Sequence, residues 1–236
     1  MKKENEVKQR LFANSILRQL KKTHTYDSLS KMFDIPIPVL ARYVKGHVLP
    51  SYEPRSETII KKYKKLLMKE VRNNVFINDQ GHFNHLSLLY NSTLLQHIAA
   101  YIVSEFSFLE IDKILSTSTD GLPIAYAVGF EFGIEVVYAK KKKEIGVANF
   151  IEQRVIVERS AYNYSLYIPE GSLQKDEYVL IVDDAIRSRT TTINLIELCK
   201  KIKAIPVGVF TLISVNGGAK KLDEAFPFPV KYLLEL

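Results

Sequence analysis

The sequence predicts an α/β protein in which a small all-α N-terminal domain precedes a larger domain with a mainly parallel sheet. The first third of the chain is strongly basic and contains two short helical patterns around a tight turn. From about residue 75 onward, buried strand patterns alternate with helical ones, which is typical of a parallel sheet covered on both faces. The expected organisation is residues 1–52, a linker or dimerisation helix over 53–75, and residues 76–236.

Composition places the chain among soluble globular proteins. Of its 236 residues, 47% are apolar and 25% are charged, and no apolar stretch approaches the ~20 residues of a membrane span. The charged start shows no secretory signal, and the single cysteine, Cys199, excludes an internal disulfide. We therefore expect a cytoplasmic protein with no membrane partner and no zinc finger.

Charge is divided unevenly along the chain. Residues 1–75 carry 17 Lys and Arg against 7 Asp and Glu, a net charge of +10, whereas residues 76–236 carry 16 against 19, a net charge of −3. A basic module joined to a near-neutral one is typical of a nucleic-acid binder with a second function. A solvated lysine-rich helix face would give the same charge, so charge alone leaves both interpretations open.

Residues 23–50 contain the two short helical patterns. The first helix has apolar residues at the spacing of one face, Leu29, Met32 and Phe33. The sequence Asp34-Ile35-Pro36 should end this helix, because the residue before a proline is pushed out of helical geometry.

A second helix can have Pro38 in its first turn and Gly46 as its cap. Its buried side is formed by Val39, Leu40 and Tyr43.

This spacing resembles the helix-turn-helix family of the phage-repressor type over about residues 10–52. The departure is Asp34, at a turn where the family often has glycine, although aspartate tolerates such backbone angles. The resemblance implies a double-stranded DNA partner, with the basic face of the second helix in the major groove. The residues expected to face DNA are Pro38, Ala41, Arg42 and Lys45. An αα-hairpin packed on the rest of the chain is the alternative.

The segment Glu53–Asn73 predicts a further helix, with apolar residues at helical spacing and many lysines. The lysines either extend the phosphate-binding surface or form a solvated face. We also expect a homodimer, because one short recognition helix reads few bases and two-fold pairing over half-sites is the usual remedy.

The remainder of the chain shows the alternating pattern. Helices are predicted at Ser92–Val103, Pro123–Phe132 and Thr192–Ile202. Strands are predicted at Ile111–Ser116, Ile134–Ala139, Val155–Glu158, Tyr178–Val182 and Val207–Ile213.

Residues 179–192 carry the strongest functional signal. Four apolar residues lead to Asp183 and Asp184, a hydroxyl-rich loop follows, and then a helix begins. Ligands of open α/β sheets bind beyond the carboxyl ends of the strands, and a helix N-terminus can bind phosphate. Two adjacent acids could accept hydrogen bonds from the vicinal hydroxyls of ribose. For an Asp-Asp pair alone, a strand end whose acids cap the next helix is the alternative.

The whole segment resembles the 5-phosphoribosyl 1-diphosphate (PRPP) motif of type I phosphoribosyltransferases, in which two acids are followed by three variable residues and a Thr-Gly-x-Thr loop. Residues 114–125 are similar to the family's diphosphate-binding loop and following helix. Residues 136–140 are similar to the strand whose lysine meets the diphosphate, and residues 164–175 to the hairpin before the motif. The resemblance covers about residues 89–236 and implies a type I phosphoribosyltransferase-like domain.

The resemblance also implies roles for individual residues. Asp183 and Asp184 would bind the ribose hydroxyls of PRPP or a nucleoside monophosphate. Ser188, Arg189, Thr190 and Thr191 would hold the 5′-phosphate, and Ala185 and Arg187 are also expected in the PRPP- or nucleotide-binding site. The diphosphate site would comprise Ser118, Thr119, Asp120, Gly121 and Lys140. Mg²⁺ would arrive with PRPP, held mostly by phosphate and ribose oxygens and not by protein ligands.

Arg189 stands where the family normally has glycine. Glycine allows close backbone approach to phosphate, whereas a side chain restricts space and geometry. An arginine could compensate with a charge-assisted hydrogen bond to the phosphate. We therefore expect phosphate binding to survive and the geometry for phosphoribosyl transfer to be altered.

Two functions follow from these resemblances. A helix-turn-helix joined to a phosphoribosyltransferase-like domain resembles the purine-repressor arrangement and implies a transcription regulator of nucleotide metabolism that senses PRPP or a nucleotide. The alternative is an active nucleobase phosphoribosyltransferase, of orotate or purine type, with an appended DNA-binding module. An RNA-binding protein with a degenerate fold is the least favoured hypothesis.

Overall fold

A computed structural model of the chain describes residues 2–80, 82–156 and 163–236. The chain forms two compact units, Met1–Lys69 and Glu70–Leu236. Within the described ranges, no helix combines the length and the apolar character that crossing a membrane requires. The structure confirms the predicted fold class, an α/β protein with a helical N-terminal region and a mainly parallel sheet.

The first unit is built from helices. These are α1 (Lys2–Lys21), α2 (Tyr26–Phe33), α3 (Ile37–Val44) and α4 (Glu57–Asn73), of which α4 continues into the second unit. The helix α1 precedes the two short helices that the sequence predicts. One apolar face of α1 is buried in this unit. The buried hydrophobic residues of the unit are Ala13, Ile16, Leu17, Leu20, Leu29, Phe33, Ile35, Leu40, Tyr43, Ile59, Tyr63 and Leu67.

The turn between α2 and α3 follows from its residues. The Thr25 side chain accepts a hydrogen bond from the Ser28 N–H at 3.1 Å and caps the start of α2. Asp34 ends the helix with φ 57°, the left-handed geometry expected at this position. The Ser30 hydroxyl then donates to the Ile35 carbonyl at 2.7 Å, which closes the turn.

The predicted helix over Glu53–Asn73 begins later than expected. Glu53 has extended backbone angles (φ −116°, ψ 141°), and regular helix starts at Glu57. The cause is Pro54, since the residue before a proline is disfavoured in helical geometry.

The second unit alternates strands and helices. Its strands are β1 (Phe76–Ile77), β2 (Phe83–Asn84), β3 (Lys113–Thr117), β4 (Glu135–Ala139), β5 (Phe150–Ile156), β6 (Asn163–Pro169), β7 (Tyr178–Ile186), β8 (Ile205–Ser214) and β9 (Val230–Glu235). Its remaining helices are α5 (Leu86–Leu89), α6 (Ser92–Phe106), α7 (Leu122–Phe132), α8 (Thr190–Ile202) and α9 (Gly218–Ala225).

A parallel sheet of order β4-β3-β7-β8-β9 forms the centre of this unit, while β1 with β2 and β5 with β6 form antiparallel pairs. The four apolar residues Val179–Val182 are all buried, as expected for a central strand covered on both faces. The carboxyl ends of the five strands therefore lie along one edge, where ligands of such sheets bind.

The strand β7 extends four residues beyond its predicted end at Val182. Asp183 pairs with Thr211 and Ala185 pairs with Ile213, because β8 continues alongside. The two acids thus lie within the last residues of the strand and not after it. Of the predicted strand Val155–Glu158, the first two residues belong to β5, and residues 157 and 158 lie outside the described residues.

Candidate functional site

The site residues predicted in the second unit gather at the carboxyl edge of the sheet. The strands β3 and β7 are neighbours, with Leu115 opposite Ile181, so the segments that follow them leave the sheet side by side. The loop after β3 carries Ser118, Thr119, Asp120 and Gly121. The end of β7, the next loop and the first residues of α8 carry Asp183, Asp184, Ala185, Arg187, Ser188, Arg189, Thr190 and Thr191.

Gly121 packs directly against the first of the two acids. A Cβ at this position would lie 2.5 Å from Asp183 Oδ1 and 2.6 Å from Ser116 Oγ. Neither distance is compatible with a side chain, so glycine is required for the loop to approach the strand end this closely. The Ser116 hydroxyl beneath it is buried and has no hydrogen-bond partner among the described residues.

The two carboxylates have different surroundings. Asp183 is 4% exposed, and its Oδ1 accepts hydrogen bonds from the Thr117 hydroxyl at 3.3 Å and from the Asp184 N–H at 3.1 Å. Asp184 Oδ2 lies 2.6 Å from His85 Nε2. Thus one acid is enclosed by the sheet end, while the other is held by a histidine 99 residues away in the chain.

These surroundings separate the pKa values of the two acids. Burial, followed by the neighbouring Asp184 carboxylate, raises the pKa of Asp183 well above its usual value. Burial also acts to raise the pKa of Asp184, but hydrogen bonds from His85 and Asp183 outweigh it and place that pKa below its usual value. The pair therefore favours a proton on Asp183 and negative charge on Asp184, which leaves Asp184 as the better acceptor for a hydroxyl group.

Sequence reasoning missed His85, which comes directly after β2 and is 3% exposed. Its ring lies 5.3 Å from the ring of Phe83. Phe83 in turn lies beneath the Arg187 guanidinium, with 4.1 Å between the guanidinium carbon and the ring centre. A lone histidine and phenylalanine this far from the motif carry no spacing signal that could have predicted either contact.

The loop before α8 has the backbone geometry of a glycine loop even though it contains arginine. Arg189 has φ 52° and ψ −19°, in the left-handed region that favours glycine. No side chain caps α8 within the described parts of the chain, so N–H groups of its first turn remain open to an anion. The Thr190 N–H and hydroxyl both donate to the Ser188 carbonyl, which tightens the loop.

Lys140 lies farther along the same edge, directly after β4. Its Nζ is 2.8 Å from Glu144 Oε2 and 5.2 Å from the ring centre of Tyr138. The hydrogen bond to Glu144 raises the pKa of Lys140. A diphosphate bound by this ammonium group would therefore have to compete with Glu144.

Three side chains at this edge could hold a metal ion. His85, Asp120 and Asp184 each offer one ligand atom, and these atoms lie within 4.8 Å of one another. Mg²⁺ prefers oxygen ligands and keeps several waters. The two carboxylates suit it, and the remaining positions would go to water or to oxygens of a ligand.

The DNA-facing residues predicted in the first unit lie on α3 or directly after it. Pro38, Arg42 and Lys45 are exposed, and Ala41 is half-buried. The opposite side of α3 is buried through Leu40 and Tyr43. The open side of α3 and the residue directly after the helix therefore carry two cations, Arg42 and Lys45.

Comparisons with known proteins agree on the second unit. A family model described as phosphoribosyl transferase domain matches residues 87–228. The adenine phosphoribosyltransferase of Brachyspira hyodysenteriae is 27% identical over 154 residues, which cover 63% of this chain and 85% of that protein. The purine biosynthesis transcriptional repressor of Bacillus subtilis is 22% identical over 146 residues, 62% of this chain but only 51% of the repressor.

A solved structure supports the same fold. The adenine phosphoribosyltransferase of Thermoanaerobacter pseudethanolicus superposes with a TM-score of 0.63 at 18% identity, over 72% of this chain and 99% of that one. The matched residues 87–228 include the loop after β3, the two acids of β7 and the loop before α8. The chain therefore belongs to the phosphoribosyl transferase domain family.

Proposed function

We propose that the chain is a DNA-binding transcription regulator of nucleotide metabolism whose phosphoribosyltransferase-like domain senses PRPP or a nucleoside monophosphate. The observation that carries this proposal is Arg189 in left-handed geometry, with φ 52°, in the loop between the two acids and α8. The acids and the open amides supply what binding needs. An arginine at this position carries a side chain where glycine would let phosphate approach the backbone closely.

The site would bind its ligand through the acids of β7, the start of α8 and the loop after β3. The Asp184 carboxylate would accept hydrogen bonds from the ribose hydroxyls, and Asp183 would hold it in position through its shared hydrogen bond. The N–H groups and hydroxyls at the start of α8 would bind the 5′-phosphate. Mg²⁺, brought by PRPP and within reach of Asp120 and Asp184, would neutralise diphosphate charge when bound.

DNA binding is proposed for the first unit. Support comes from the net charge of +10 over residues 1–75 and from exposed Arg42 on α3 and exposed Lys45 directly after it. The similarity to a named transcriptional repressor supports it as well. Arg42 is the residue proposed to reach a base edge. We also propose a homodimer, because paired recognition helices can read two half-sites.

An active nucleobase phosphoribosyltransferase is the second candidate. It is favoured by relatives that are named as adenine and xanthine phosphoribosyltransferases, at 27% and 30% identity. In that case the same residues would position PRPP for attack by a base nitrogen, with catalysis by orientation and charge.

Calorimetry against PRPP, nucleoside monophosphates and free bases, followed by turnover assays with each base, separates the two candidates. The regulator binds PRPP or a nucleotide and turns over none of the bases at an ordinary rate. Turnover on the order of 1 per second or faster would assign the chain to the enzymes. Absence of binding to every compound would remove the sensor proposal.

A further inference from the structure

A short segment of the second unit covers the acidic end of β7. We define the cover segment as residues 83–85. Its His85 lies against Asp184, with 2.6 Å between Nε2 and Oδ2, and its Phe83 lies beneath the Arg187 guanidinium. Two independent contacts thus tie one segment to two residues of the candidate ligand site.

Both contacts occupy groups that the proposed ligand would need. With His85 in place, the Asp184 side chain is only 16% exposed, so a ribose hydroxyl has little access to its carboxylate. Arg187 is otherwise exposed and can turn toward a phosphate, but only by leaving the Phe83 ring. A ligand that carries both vicinal hydroxyls and a phosphate would compete for both contacts at once.

The cover segment is linked to the end of α4 through a short hydrogen-bonded path. The Ser87 hydroxyl, two residues beyond the segment, donates to the Asn74 carbonyl at 3.0 Å. The Asn74 N–H donates to the Val71 carbonyl in the last turn of α4, also at 3.0 Å. These bonds fasten the residue after the cover segment to the last turn of α4, within the second unit.

We propose that the cover segment is a ligand-operated latch. It occupies Asp184 and Arg187 in the ligand-free chain, and a ribose 5-phosphate compound displaces both contacts and releases the segment. The latch rests on the proposed function, because it assumes that this site binds such a ligand. It assigns His85 the role of a competitor of the ligand and not of a ligand contact.

Hydrogen exchange of the backbone amides over residues 82–90 tests the latch without any substitution. The full chain is measured in Mg²⁺ buffer without ligand and with saturating PRPP, ribose 5-phosphate or 2-deoxyribose 5-phosphate. Release predicts that PRPP and ribose 5-phosphate speed exchange of these amides by about fivefold or more. The deoxy compound, which lacks one of the vicinal hydroxyls, should speed it less. Slower exchange with PRPP would overturn the latch.

The variant His85→Ala tests the competition directly. Removing the competing histidine should tighten PRPP binding about tenfold. The apparent affinity is the intrinsic affinity multiplied by the fraction of chains whose site is open, and His85 lowers that fraction. The matched control is His82→Ala, an exposed histidine three residues earlier, which should leave PRPP affinity unchanged. Weaker PRPP binding by His85→Ala would make His85 a ligand contact and overturn the latch.

The two proposals fail in different ways. PRPP binding by the unaltered chain together with slower exchange refutes the latch and leaves the sensor proposal intact. Absence of binding to PRPP and to all nucleotides, by both the unaltered chain and His85→Ala, refutes the sensor proposal and the latch with it. Binding by His85→Ala alone would support the latch strongly.

Discussion

Replacing Arg189 by glycine should relieve backbone strain in the loop before α8. At φ 52° and ψ −19°, a residue with a Cβ costs about 1–2 kcal/mol in the left-handed region. Glycine avoids this cost but loses about 0.5–1 kcal/mol more than alanine in conformational entropy. The difference predicts that Arg189→Gly is more stable than Arg189→Ala by up to about 1.5 kcal/mol, and by about 0.75 kcal/mol at the middle of both ranges. Both variants lack the guanidinium, so the comparison isolates the backbone.

Thermal unfolding measures this difference, with an expected gain of about 1–4 °C for a unit of this size. The matched control pair is Arg154→Gly and Arg154→Ala in β5, where the exposed arginine does not have a positive φ. There the order should reverse, with glycine about 0.5–1 kcal/mol less stable than alanine. The strain argument is refuted if Arg189→Gly is no more stable than Arg189→Ala.

The same glycine should also let phosphate approach the loop more closely. We expect Arg189→Gly to turn over PRPP with at least one of adenine, hypoxanthine, guanine and xanthine about tenfold faster than the unaltered chain, which corresponds to about 1.4 kcal/mol. Arg189→Ala should show no such gain. Equal turnover by all three proteins would contradict the idea that Arg189 limits transfer.

Three further predictions concern the acids and the basic helix. Asp183→Ala combined with Asp184→Ala should weaken PRPP or nucleotide binding at least about tenfold by calorimetry, since buried donors left unpaired cost ~1–3 kcal/mol each; unchanged affinity would remove the acids from the site. Asp183→Asn should stabilise the ligand-free chain at pH 7.5. Folding raises the pKa of Asp183, so the ionised carboxylate destabilises the folded chain. This destabilisation is absent below the pKa of Asp183 in the unfolded chain and grows as pH rises above it. The stability gained by Asp183→Asn should therefore vanish in thermal unfolding near pH 3.5. In fluorescence anisotropy, Arg42→Ala should reduce the preference of the chain for a selected duplex over random DNA by about 1–3 kcal/mol. An equal loss of affinity for both DNAs would make Arg42 a phosphate contact only.

Local patterns predicted the fold class and most of the residues gathered at the sheet edge. The apolar run Val179–Val182, the two acids that follow it in sequence and the hydroxyl-rich loop are contiguous, so their spacing could be read directly. Arg189 could also be singled out as standing where the family normally has glycine, but the left-handed angle that the structure shows there was not predicted. These features depend on neighbours in the chain.

Features that depend on distant residues could not be predicted in this way. His85 reaches Asp184 only because the β1–β2 pair and the parallel sheet bring together residues 99 positions apart. The acids lie inside β7 because β8 continues alongside, a pairing that the β7 sequence does not encode. The start of α4 was predicted too early, at Glu53, although Pro54 already indicated that Glu53 would be extended.

The central claim is that ligand occupancy of the second unit changes DNA binding by the first. The direct measurement is DNA affinity by fluorescence anisotropy, on a duplex selected from a random pool by the full chain, with and without saturating PRPP or each common nucleotide. The proposal predicts that at least one of these compounds changes DNA affinity by about fivefold or more, and that DNA changes the affinity for that compound by the same factor. Equal DNA affinity in the presence and absence of every one of these compounds would contradict it.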